Sequence, residues 1–84
     1  MDHVARTPAQ LGQILRSCRK LRALTQLQVA AKTGMKQSTV STAERDGNAT
    51  SVETLYRLLS ALGLELVVRD PSTQGSARVP EREW

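Results

Sequence analysis

The 84-residue chain has no phenylalanine, and Tyr56 and Trp84 are its only aromatic residues. Any core must therefore be built from Leu, Val, Ile and Ala, which suits a compact helical bundle. Cys18 is the single cysteine, so no disulfide can form within the chain, and one cysteine with one histidine makes no metal-ligand cluster. No run is long and apolar enough to span a bilayer, and the N-terminus lacks the hydrophobic stretch of a signal peptide. A cytoplasmic protein is the expectation. No nucleophile, acid–base pair or phosphate loop is visible, so neither an enzyme nor a cofactor is expected.

Acid is the other shortage. Between His3 and Ala43 there is none, while Arg6, Arg16, Arg19, Lys20, Arg22, Lys32 and Lys36 are all basic. From Glu44 onward seven acids face five arginines, so the overall charge of +4 hides a strongly positive first half. Such a field suits a surface that meets phosphate, although charge alone is equally consistent with a solvated helix face. At this length there is one small domain, of a size that often leans on a second subunit.

Thr7-Pro8 is a helix start, with a hydroxyl to cap and proline at the first helical position. Leu11, Ile14, Leu15, Cys18 and Leu21 follow at helical spacing, predicting a helix to about Ala23 with Cys18 as a small core residue. Thr25-Gln26 opens a second helix with Val29 and Ala30 facing inward and Leu27 a third candidate; Gly34 stops it. A third helix runs from about Gln37 to Arg45, burying Val40 and Ala43, and Asp46-Gly47-Asn48 is a turn. A fourth begins at Thr50, with Glu53 completing a capping box, or at Ser51, and ends at Gly63. Its expected buried stripe is Val52, Leu55, Leu59 and Leu62.

Leu64 to Arg69 is rich in β-branched residues and partly alternating, which predicts a strand. The chain offers no second strand, so its backbone groups are satisfied most economically by the same strand of a second copy, giving a two-fold homodimer. An extended tail after the bundle is the alternative. Residues 70–84 carry proline, glycine, serine and charge with nothing to pack, which predicts a flexible tail.

Ala30, Gly34, Met35 and Val40 stand where a helix-turn-helix needs a small residue, a turn glycine and apolar locks. With Leu24-Thr25-Gln26, Ser41 and Glu44, this pattern resembles the Xre and phage-repressor family of helix-turn-helix domains over about Leu11 to Leu66. The resemblance implies that the third helix enters the major groove of double-stranded DNA, with base contacts from Gln37, Ser38 and Thr42. It implies phosphate contacts from Gln26, Lys36 and Thr39, and a structural ion pair between Arg19 and Glu44. Glutamine can pair with adenine in the major groove, and a helix start favours an anion. Ala23 stands where the family often has glycine, implying a tighter or differently shaped turn. Ala43 replaces a larger residue, implying a thinner core.

The Thr-Pro-Ala-Gln-Leu entry, the Gly-Met-Lys-Gln-Ser-Thr-Val-Ser segment, the strand and the Glu-Trp ending are similar to HipB antitoxins of HipA/HipB toxin–antitoxin systems. That likeness implies a homodimer on palindromic operators that represses its own operon, associates with the bacterial nucleoid when bound to DNA, and captures a HipA-like kinase toxin. It makes Leu64, Leu66, Val67 and Val68 the dimer strand and Trp84 a partner anchor. A stand-alone regulator without a toxin is the alternative. The expected architecture is mainly α, with an N-terminal arm (1–6), a bundle of four or five short helices (7–63), a C-terminal β-strand pairing across the homodimer (64–69) and a tail (70–84).

Overall fold

The computed structural model describes residues 2–71 and consists of four α-helices: α1 (Pro8–Leu21), α2 (Gln26–Thr33), α3 (Gln37–Arg45) and α4 (Val52–Ala61). A single 3₁₀ turn over Gly47–Ala49 links α3 to α4. Thr7, Thr25 and Ser51 each open a helix by accepting a hydrogen bond from the backbone N–H three residues on. At Thr25 the exchange is reciprocal: Gln28 Nα donates to Thr25 Oγ1 at 3.0 Å, and Thr25 Nα donates to Gln28 Oε1 at 2.8 Å. Of the two candidate caps for α4 it is Ser51 that serves, because Thr50 closes the preceding turn.

Three helices end in the same way. The N–H of Leu24 donates to the Arg19 carbonyl, that of Met35 to Ala30, and that of Leu64 to Leu59, each spanning five residues. The residue before each donor adopts a left-handed conformation: Ala23 (φ 57°), Gly34 (φ 72°) and Gly63 (φ 69°). Each donor is also an apolar residue packed on the core, so the stop and the core contact are one device. Ala23 therefore makes the same kind of turn a glycine would, rather than the differently shaped one its side chain suggests.

Leu15, Cys18, Val29, Ala30, Val40, Ala43, Leu58, Leu59 and Leu62 form the core. Three sequence expectations are corrected here. Leu27 is exposed because it lies two residues from Val29, on the opposite side of α2. Val52, the first residue of α4, is exposed, whereas Leu58, which the expected stripe left out, is buried. Leu21, the last residue of α1, is exposed.

The core under α3 is not thin. Gly12 lets α1 come so close that a β-carbon there would stand 2.6 Å from the Glu44 carbonyl oxygen and 2.9 Å from that of Ala43. Small residues on both helices match each other. Gly47 repeats the arrangement at the end of α3, where a β-carbon would meet the Pro8 carbonyl oxygen at 2.5 Å.

Among the described residues there is no strand. Leu64 to Arg69 leaves α4 without an intrachain ladder, so the expected strand is not formed within the single chain. Leu66, Val67 and Val68 are exposed there. The tail beyond Pro71, with Trp84, lies outside the described residues.

Candidate nucleic-acid interface

The two helices that carry the predicted contacts are fixed to each other and to α1 by one buried carboxylate. Arg19 Nε donates to Glu44 Oε2 at 2.6 Å and Arg19 Nη2 donates to Glu44 Oε1 at 3.1 Å, a two-pronged pair with both residues 9% exposed. Arg19 Nη1 donates to the Leu24 carbonyl at 2.8 Å, tying the pair to the turn before α2. Gln26 Nε2 donates to Glu44 Oε1 at 3.1 Å. Helix α1, the start of α2 and the end of α3 thus meet at Glu44. A charge removed from water is tolerable there because both carboxylate oxygens are satisfied.

Gln26 is the residue for which this changes the expectation most. Its side chain is half-buried and engaged with Glu44, so the α2 start offers a held amide rather than a free one. The family likeness implied a phosphate contact by Gln26; the glutamate partner was legible only once the fold had brought residues 18 positions apart together.

Helix α3 starts differently from the others. Lys36 occupies its cap position, no side chain caps it, and the Thr39 N–H turns back to the Lys36 carbonyl at 3.0 Å. Gln37 and Ser38 are exposed on this first turn, while Thr39 and Thr42 are half-buried. An uncapped helix start with a basic neighbour and no acid in its first turn favours an approaching anion.

Ser38, Thr39 and Thr42 share one shallow depression with Ala49, Thr50, Ser51 and Thr54. It is lined by hydroxyls and bears no charged side chain. Gln37 stands apart from it, so the structure separates the expected contacts into an amide-bearing helix start and a hydroxyl-lined flank. Thr50, Ser51 and Thr54 were missed by sequence reasoning. Their only signal was local hydroxyl density, and nothing in the sequence says that the turn after α3 folds back beside it.

The matching helix-turn-helix family model covers residues 15–68, well over half the chain. Antitoxin HipB of Escherichia coli O6:H1 strain CFT073 is 30% identical over 80 residues, covering 93% of this chain and 85% of the relative. Antitoxin HipB of Escherichia coli K12 is 31% identical over 80 residues, covering 93% and 91%.

The chain belongs to the helix-turn-helix family, on its HipB branch.

Solved structures agree. A HipB variant in complex with an O2 20mer has a TM-score of 0.79 at 28% identity, covering 84% of this chain and 99% of that one. HipB in a HipA-HipB-O2-O3 complex gives 0.78 at 28% identity, covering 83% and 99%. The restriction-modification controller protein C.AhdI from Aeromonas hydrophila gives 0.63 at 32% identity, covering 68% and 86%. Within the helix-turn-helix, α2 and α3 are the two defining helices, and Gly34 and Met35 make the turn between them. No helix among the described residues is long and apolar enough to cross a membrane.

Proposed function

We propose that this chain is a sequence-specific DNA-binding repressor that acts as a HipB-like antitoxin. As a two-fold homodimer it binds a palindromic operator in double-stranded DNA, represses its own operon, and binds and neutralises a HipA-like kinase toxin. The observation that carries this reading is the match of the whole described fold to HipB in complexes with an O2 20mer and with HipA.

In this reading α3 lies in the major groove. Gln37 reads a base edge, Ser38 and Thr42 read or touch bases beside it, and Lys36, Thr39 and the Glu44-held Gln26 contact phosphates. Arg19 and Glu44 keep the helices at the angle that lets all of these act together. The dimer strand is Leu64, Leu66, Val67 and Val68, and Trp84 anchors the toxin. The divisions at residues 6, 63 and 69 separate arm, bundle, strand and tail. The protein works by binding and not by catalysis, in the cytoplasm, nucleoid-associated when on DNA.

A stand-alone regulator is the second reading, favoured by the likeness to a restriction-modification controller protein. Fluorescence anisotropy with labelled DNA from upstream of the chain's own gene tests the first half of the proposal. Binding should be at least about a thousandfold tighter than to random sequence; equal affinity for both refutes the repressor. Co-purification from the native operon tests the second half. A kinase-like partner in equimolar yield supports the antitoxin, whereas an unaccompanied dimer selects the stand-alone regulator.

A further inference from the structure

Residues 64–69 pose a question of register. If they pair with a second copy, which residue sits on the two-fold axis? The residues themselves, with the geometry of antiparallel pairing, leave one answer.

Across an antiparallel pair, opposed residues alternate between hydrogen-bonded and non-hydrogen-bonded sites. A two-fold axis between the strands turns each opposed pair into another, and both must be the same kind of site. Opposed residues must then be an even number of positions apart, so the axis passes through a residue and not between two. Only a few registers remain for so short a segment. With Glu65 or Arg69 on the axis, two like charges stand directly opposed. With Leu66 on the axis, Glu65 faces Val67 and Arg69 faces Gly63. With Val68 on the axis, Val67 faces Arg69 and Leu66 faces Asp70. With Val67 on the axis, Val67 meets itself, Leu66 faces Val68, and Glu65 faces Arg69 in both symmetry-related places. Over residues 65–69 that register alone matches every apolar residue with an apolar one and every charge with its opposite; beyond them it sets Leu64, which the core holds, against Asp70.

The structure keeps these side chains available. Leu66, Val67 and Val68 are 45%, 66% and 85% exposed, and Glu65 and Arg69 are exposed without an ion pair among the described residues. Leu64 is held on the core by its hydrogen bond to Leu59, which fixes where the segment leaves the bundle. Glu65 and Arg69 border a depression whose other wall is the N-terminal arm, with Asp2 and Arg6. The arm contributes one charge of each sign there and so favours neither register.

We propose that the second copy is recognised through a Val67-centred antiparallel pairing, with Glu65 of each copy opposite Arg69 of the other as the register-setting pair. A one-residue slip is excluded by the two-fold symmetry, and a two-residue slip would leave both charges without an opposite charge facing them. This rests on the dimer-strand reading above.

Charge exchange tests it. The full-length chain, Glu65→Arg, Arg69→Glu and their equimolar mixture are each followed by sedimentation over a dilution series, with circular dichroism to confirm helical content. Each single variant places like charges opposite each other twice and should dimerise roughly tenfold more weakly. Mixing them places opposite charges at both sites, so heterodimers should form with close to the parent affinity. Single variants as dimeric as the parent, or a mixture no tighter than its components, would overturn the register. Val68→Asp separates this from failure of the strand itself: residue 68 is solvent-exposed in the single chain, so the change spares the bundle. If that variant still dimerises like the parent, the segment is not the interface at all and both proposals fall.

Discussion

Gln26 opens α2 and Glu44 closes α3, and the amide of the first donates to the carboxylate of the second at 3.1 Å. The same carboxylate holds Arg19 of α1 by two further hydrogen bonds. A residue assigned to DNA and a residue assigned to the scaffold are therefore one unit.

Arg19→Ala should cost about 3–5 kcal/mol of folding stability, because a buried carboxylate is left without its cation. Denaturant melts measure this. Exchanging both Arg19 and Glu44 for apolar residues should cost clearly less than the sum of the two single changes, since neither charge is then orphaned. An additive double variant would show that the pair is not coupled.

Gln37→Ala should weaken the operator by about 1–3 kcal/mol while leaving random DNA unaffected. Lys36→Ala should weaken both alike and reduce the slope of log affinity against log salt by about one. Anisotropy titrations at three salt concentrations separate the two behaviours. Equal loss on both DNAs for Gln37→Ala would remove it from the base readers.

Ala23→Gly should stabilise the fold by about 0.5–1 kcal/mol. A left-handed backbone costs an L-residue about 1–2 kcal/mol, and glycine's extra freedom in the unfolded chain returns part of that. Ala23 has φ 57° and is exposed, so no packing is lost with its methyl group. A lower melting temperature would contradict this account of the turn.

Gly12→Ala should destabilise by about 1–3 kcal/mol, although alanine is the better helix former, because the new methyl meets backbone and not a movable side chain. The helices must part to admit it, so operator affinity should fall with stability. A stabilised variant would mean that α1 and α3 have slack at their crossing.

The sequence was enough to place four helices, because their signals are local. Thr7-Pro8, Thr25 and Gly34 act within a turn of themselves, and the 3.6-residue spacing of Leu11, Leu15 and Cys18 marks a face without reference to anything it packs on. The family likeness rested on the same short spacings, and that likeness in turn pointed to Gln37 and Lys36, which are exposed at the start of α3. Tertiary structure decided what depends on residues distant in the chain. Leu58 is buried and Val52 exposed according to what α4 packs on, and the hydroxyls of Thr50 and Ser51 join those of α3 because the intervening turn folds back. Ala43 is no defect because Gly12 closes the space, and Gln26 is held because Glu44 arrives beside it. Periodicity says which way a side chain points; only the assembled fold says what stands opposite it.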